Sequence, residues 1–533
     1  MTTIRRLYLY LASLIGMGVA LTGASILIKL IVDWGFDAFR GFHIPSSAPA
    51  LALLVAGGVA WSSYWRAAQR EAASAPEEQA SGTRKLYLYG VLTLSLLGAL
   101  ILLQQALADL LVRLLDQDLS SADKPWTPFL IAALLAAAWR WHTRIADAER
   151  ASGADGARGG DLRRAYWFAL ALYGAAAAAS GMMAFISGMV WRLEERMPQP
   201  FGFFGGAPWI HVLIPPLMQI LVASFAIWMF WLPSQKAAAS RDEAERSSRL
   251  RSLLIGLFVF SAAVWALGGA QEVLRDVLAR LLLGARGDLL SPLLAAPIAS
   301  LTVGGLLLWY FFVQVRATLI SARPADYILA GVGLAVAGYG FQQAVAALLR
   351  VPGGRGAPIE TLIPVVLPPL LIGGAVWRWR WMRLEAEASS ADGASARSDV
   401  WRKAYLYVFQ LAGLAMLLAG AVAILTRVIA ALLGQPFVLS PADSVMVALS
   451  EPSSLLLVGG GLMIYMMRLV AGDSRLGAMS VEETMQRTLG AAAPTWAIAA
   501  AAFVVLAPLL AAAVAALLGP TFGDLFRIIT AFD

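Results

Sequence analysis

Arg84-Lys85-Leu86-Tyr87-Leu88-Tyr89 opens a long apolar run, and the pattern recurs along the chain. Arg5-Arg6-Leu7-Tyr8-Leu9-Tyr10 precedes it, and Arg163-Arg164-Ala165-Tyr166-Trp167-Phe168 and Arg402-Lys403-Ala404-Tyr405-Leu406-Tyr407 follow. Tyr8, Tyr87 and Tyr166 stand 79 residues apart. A weaker copy at Asp326-Tyr327 lies 161 residues after Tyr166 and 78 before Tyr405. The copy due between them falls near Arg249-Leu250-Arg251-Ser252-Leu253, where another apolar run begins. Self-similarity at a fixed period marks a repeat architecture.

Composition places those repeats in a bilayer. The 533 residues are 59% apolar and 14% charged, against roughly 25% charged in soluble domains. A helix crosses the hydrocarbon with about 20 apolar residues, and unbroken runs of that order recur throughout. The fold class is therefore all-α, a polytopic integral membrane protein; a β-barrel would need short alternating strands. There are no cysteines, which removes thiolate chemistry and disulfides. His43, His142 and His211 lack ligand spacing, and no histidine lies mid-span, so neither a metal nor any other cofactor is expected. The net charge of +7 sits beside the spans and reads as anchoring to lipid headgroups, with no nucleic acid as partner.

Each copy predicts a hairpin of roughly 80 residues: a long span from the motif, a polar turn, a shorter return span and a charged linker. The twelve paired spans are 7–32, 48–65, 86–111, 126–141, 166–191, 210–231, 253–283, 290–313, 327–349, 361–377, 405–433 and 454–467. The unpaired run 491–518 makes about thirteen, followed by an amphipathic tail over 520–533. The run 7–32 matches the internal copies and so reads as a retained span, not a signal peptide. The N-terminal arm and the linkers between hairpins hold 28 of the 41 Lys and Arg. The positive-inside rule then puts them in the cytoplasm of a bacterial inner membrane, with the C-terminus outside.

The segments 5–15, 84–89, 163–168 and 402–407 resemble a bacterial family of four-span modules catalogued as domain of unknown function 5671. The resemblance implies three tandem modules of two hairpins each, over 1–160, 161–322 and 323–487, with 488–533 as a final helix and tail. It implies no activity and no catalytic residues.

Return spans share a small residue four before an aromatic: Gly57 and Trp61, Ser224 and Trp228, Gly305 and Trp309, Gly373 and Trp377, Gly461 and Tyr465. Four residues make one helical turn, so each pair shares a face; close helix packing plus interfacial anchoring is the expectation. Span centres lack ionisable residues. Polar residues collect near the outer ends of the odd-numbered spans, at Gln104, Gln105, Asp109, Gln271, Glu272, Gln342 and Gln343. An intramembrane charge is a functional candidate by default, and Glu272 is the leading one. The plainer account is bonding between helices, including a pair between Lys29 and Asp109.

Three functions compete. A structural or accessory scaffold subunit, partnered by the lipid bilayer and assembled as a homo-oligomer or within a larger membrane complex, fits the dry span centres. A transporter or channel for a small solute would use the polar layer. A lipid-modifying enzyme would need interfacial His, Asp or Glu clusters that the sequence lacks, so no catalytic residues and no enzyme activity are expected.

Overall fold

In a computed structural model the described residues are 3–36, 44–116, 125–153, 156–195, 209–240, 246, 248–283, 292–319, 321–351, 359–390, 393–432 and 445–476. The run 491–518 and the tail 520–533 lie outside them. Among the described residues there are helices and no strands.

The helices pair as hairpins in chain order. The first joins α1 (Thr3–Phe36) to α2 (Ile44–Ser74), and a single turn, α3 (Pro76–Gln79), leads to the second, α4 (Gly82–Asp116) with α5 (Trp126–Ala151). The third joins α6 (Gly156–Glu195) to α7 (Trp209–Ala226), which passes through a π-turn at Ile227–Trp231 into α8 (Leu232–Ala239). The fourth joins α9 (Arg249–Leu283) to α10 (Pro292–Tyr310), which ends in a second π-turn, Phe311–Val315, and a 3-10 turn, Arg316–Thr318. The fifth is α11 (Arg323–Arg350) with α12 (Ile359–Ser389), then the one-turn α13 (Ala394–Arg397); the sixth is α14 (Val400–Leu432) with α15 (Val445–Leu476).

Eleven of these helical stretches are long and apolar enough to cross a membrane, and the protein is a multi-pass membrane protein of that architecture. Thirteen spans were the expectation. One of the remaining two is 491–518, and the other is α5. Its apolar part stops at Trp139, because Arg140, His142 and Arg144 follow at once. The helices outrun the apolar runs at the motif end: α2, α5 and α12 continue through Ser74, Ala151 and Ser389. The chain divides into two compact units, Met1–Asp276 with Arg286–Ala325, and Val277–Ala285 with Asp326–Asp533. Inside the first unit α4 packs on α1, α6 and α7, and α6 packs on α10.

Within each hairpin the two helices touch through glycine. A methyl added at Gly23 would stand 2.5 Å from the Leu54 amide nitrogen, and one at Gly413 would stand 2.7 Å from the Gly459 carbonyl oxygen. Real side chains never come that close to backbone. Gly16 and Gly23, Gly333 and Gly340, and Gly413 and Gly420 are spaced by seven residues, two turns, so each pair faces the return helix together. Lipid tails are as apolar as leucine, so association of the helices depends on this close backbone contact. Prolines of the return helices sit at the contact: the carbonyl oxygen of Pro452 would meet a methyl on Gly420 at 2.5 Å.

The packing residues on the return helices follow the same logic. Gly57 meets the Ala20 backbone, and Gly373 meets the Ala337 nitrogen. In three return helices the contact falls on a neighbour of the residue singled out by the small-to-aromatic spacing. Gly304 meets Ala266 while Gly305 has nothing within 4 Å; Gly459 meets Gly413 while Gly461 has nothing within 4 Å. Ala223, fully buried, faces Gly174, while Ser224 is exposed. Trp228 and Trp309 accordingly stand on the outer surface, 63% and 61% exposed. Adjacent small residues look alike in sequence; only one of them can point inward.

The neighbouring glycines of α10 give a sharp test. Gly304→Leu should destabilise the protein by about 1–3 kcal/mol through overpacking. Gly305→Leu should stay within about 0.5 kcal/mol. Thermal unfolding in detergent micelles reads the difference.

Candidate functional site

At the motif end, where each helix leaves its apolar stretch, the structure repeats one arrangement three times. In the first copy the Arg84 guanidinium lies 5.5 Å from the ring centre of Trp65. Its Nε donates to Glu149 Oε1 at 2.8 Å and its Nη2 to Gln69 Oε1 at 2.9 Å. Nη1 donates to the Tyr10 hydroxyl at 3.2 Å. Four helices thereby converge on one cation: α1 through Tyr10, α2 through Trp65 and Gln69, α4 through Arg84 itself, and α5 through Glu149. Lys85 Nζ takes the other Glu149 oxygen at 2.9 Å, so one carboxylate serves two buried cations.

In the second copy Arg251 lies 5.8 Å from the Trp231 ring centre. It donates to Gln235 Oε1 and to Thr318 Oγ1, both at 2.7 Å. In the third, Arg402 lies 5.5 Å from the Trp381 ring centre. It bonds Glu385 Oε2 at 3.0 Å, and its Nε meets Asp473 Oδ2 at 2.6 Å. All three arginines are at most 1% exposed. The local design is constant: a tryptophan near the end of one return helix, a Gln or Glu one turn later, an arginine at the start of the next long helix, and an acceptor at the end of its return helix. Arginine suits the position because its planar fork stacks on indole and still presents several donors.

Tyrosines of the motif stiffen the first and third copies. Tyr87 stacks on Trp65 with ring centres 5.1 Å apart, and Tyr405 stacks on Trp381 at 5.0 Å. Tyr10 meets Tyr87 at 5.6 Å, and Tyr327 meets Tyr405 at 5.7 Å. Further ion pairs hold the first long helix of each copy: Arg6 with Glu78 at 2.6 Å, and Arg380 with Asp326 at 3.0 Å. His142, just past the apolar run of α5, is 1% exposed and packs against Trp65, Trp141 and Tyr87. Its Nδ1 bonds the Ala138 carbonyl at 2.8 Å, and burial holds its pKa below the ordinary histidine value.

The polar layer is held by bonds within helices and between them. The Tyr173 hydroxyl donates to Gln104 at 3.3 Å across α4 and α6, while Gln105 is exposed and Asp109 half-buried. Gln271 is half-buried. Glu272 pairs with Arg275, one turn along its own helix, and is 44% exposed. Buried Gln342 donates to Ser454 Oγ at 2.9 Å and accepts from Gln343 at 2.9 Å. Within the first unit no hydrogen bond among the described residues joins Gln104 or Gln105 to Gln271 or Glu272. Lys29 pairs with Asp33, its neighbour one turn away, at 2.7 Å, in place of the expected Asp109. Among the described residues no group of three or more His, Asp and Glu could hold a metal ion.

Arg84, Arg251 and Arg402 all stand in the sequence motifs, where a basic residue beside a span reads as a headgroup anchor. Their partners Trp65, Gln69, Glu149, Trp231, Gln235, Thr318, Glu385 and Asp473 stand outside the motifs. A signal was present. Trp followed four residues later by Gln or Glu, then 15 to 17 residues later by the motif arginine, recurs at 65–69–84, 231–235–251 and 381–385–402.

The family model described as domain of unknown function DUF5671 matches residues 6–138, 205–306 and 323–461. Each matched segment contains one of the three buried arginines. No curated protein and no solved structure matches the chain.

Glu149 and Arg84 should respond unequally to removal. Glu149→Leu removes the carboxylate that both buried cations share and should cost about 3–5 kcal/mol. Arg84→Met leaves Glu149 paired with Lys85 and should cost less. Unfolding free energies in mixed micelles compare the two directly.

Proposed function

The chain belongs to the DUF5671 family, and from that premise we propose that it is a structural or accessory membrane subunit without catalytic activity. The observation that carries this reading is the threefold buried arginine. Each buried guanidinium is committed to holding consecutive hairpins together, which is what a rigid repeated scaffold requires and what a moving transporter would have to break. The glycine contacts within hairpins support the same reading, because helices locked backbone to backbone resist sliding. Of the polar residues, Glu272 pairs along its own helix and is 44% exposed, and Gln105 is exposed, which suits wetting at the membrane interface. The proposed setting is a bacterial cytoplasmic membrane, with the motif ends cytoplasmic and self-association or a larger membrane complex as the working form.

A second reading, a channel or carrier for a small solute, draws on the buried chain Gln343–Gln342–Ser454 of α11 and α15. Buried amides inside a helical membrane protein often mark a pathway.

Reconstitution in liposomes separates the two. The scaffold reading predicts solute flux no greater than in protein-free vesicles for a panel of ions, sugars and amino acids, together with a stable oligomer by native mass spectrometry. Flux above that baseline that falls in a Gln342→Leu or Glu272→Gln variant would overturn it.

A further inference from the structure

One cavity in the first unit is not used by the packing described above. It measures about 320 Å³ and lies among α6, the π-turn Ile227–Trp231 with the start of α8, α9 and α10, within the size range of ligand pockets. Its walls are apolar: Ala175 and Ala178 of α6, Leu254 and Phe258 of α9, Val303 and Leu307 of α10. The space exists because α6 carries the run Ala175-Ala176-Ala177-Ala178-Ala179 where a larger side chain would fill it. Both π-turns border it, through Ile227 and Trp231 on one side and Val315 on the other. Such turns are rare and are frequent at functional sites. Leu172 and Leu306 line the cavity and are also 39% and 49% exposed, so it opens sideways onto the apolar outer surface.

We propose that this slot holds one acyl chain of a membrane phospholipid, with the headgroup at the motif end. The apolar walls exclude a polar solute, and an apolar cavity is no home for water. The medium at its side mouth is the hydrocarbon of the bilayer, which supplies acyl chains directly. The motif end of the slot is polar. Trp231 Nε1 donates to the Tyr310 hydroxyl at 2.8 Å, which leaves the tyrosine proton for the ester carbonyl of a glycerolipid. In sequence Lys236 lies one turn past the lining residue Leu232 and Arg316 follows the lining residue Val315, so both cations belong to the motif end of the slot, the Arg316 guanidinium 5.7 Å from the Phe312 ring centre. An isoprenoid would use the walls but offer nothing to the hydroxyl or the cations.

The test is photolabelling of the intact protein in nanodiscs with a phosphatidylglycerol carrying a diazirine in one acyl chain, mapped by peptide mass spectrometry. Labels should concentrate on α6 and α10 near Ala175 and Leu306. They should drop about tenfold there, a 1.4 kcal/mol loss of affinity, in Ala178→Phe, which fills the slot, and in Leu306→Trp, which blocks its mouth. Labelling on the outer face of α1 should not change. Equal labelling of the slot and of α1, or labelling unaffected by both variants, would overturn the proposal. So would a free diazirine fatty acid that labels the slot as strongly as the phospholipid. Leu306→Trp adds bulk at a half-exposed surface site, so it reads the proposal even if Ala178→Phe fails to fold.

Discussion

A guanidinium buried beside hydrocarbon has to find its partners within the protein. Leaving such a cation uncompensated costs several kcal/mol. That requirement governs the motif ends of this chain. Arg84 is satisfied only when α1, α2, α4 and α5 all end at the same place, because Tyr10, Gln69 and Glu149 come from different helices. Arg402 imposes the same convergence on α12, α14 and α15 through Glu385 and Asp473. One buried cation thus sets the register of two hairpins. The tryptophan beneath it contributes cation–π attraction and shields it from solvent.

The glycine contacts act at right angles to that constraint. They set the distance between the two helices of a hairpin, while the arginine sets where neighbouring hairpins end. Glycines seven residues apart, as at Gly16 and Gly23, keep the contact on one face over two turns. Large apolar side chains then populate the outside: Leu411, Leu418 and Val422 of α14 are each more than half exposed, as expected of a surface meant for lipid. A small contact surface within hairpins and a wide apolar exterior follow from the same residue pattern.

The hairpin repeat was legible in the sequence because its period is long and its marker, Arg-X-X-Tyr before an apolar run, is strong. The spans were legible because hydrophobicity sums over twenty residues. The inward face of each helix was less so. Gly304 and Gly305 are chemically identical, and only the rotation of α10 decides which one meets Ala266. Ser224 reads as the packing residue and lies outside, because Ala223 takes the inward position. The arginine cluster escaped for a different reason. Its arginines and their bonded partners lie 15 to 74 residues apart in sequence, and basic residues at helix ends normally snorkel to water. Burial of a charge is a tertiary property, and the recurring Trp–Gln/Glu–Arg spacing does not by itself say that the charge is buried. The deep glutamines were found, but their bonds to Tyr173 and Ser454 come from other helices and could not be read from the runs themselves.

The most direct measurement is an experimental density map of the full chain in lipid nanodiscs, at a resolution that shows side chains. The account predicts all three guanidinium groups, of Arg84, Arg251 and Arg402, stacked on Trp65, Trp231 and Trp381 and within hydrogen-bond reach of Glu149, Thr318 and Asp473 respectively. Arginine side chains extended into the headgroup layer, with those tryptophan rings packed against lipid instead, would contradict it.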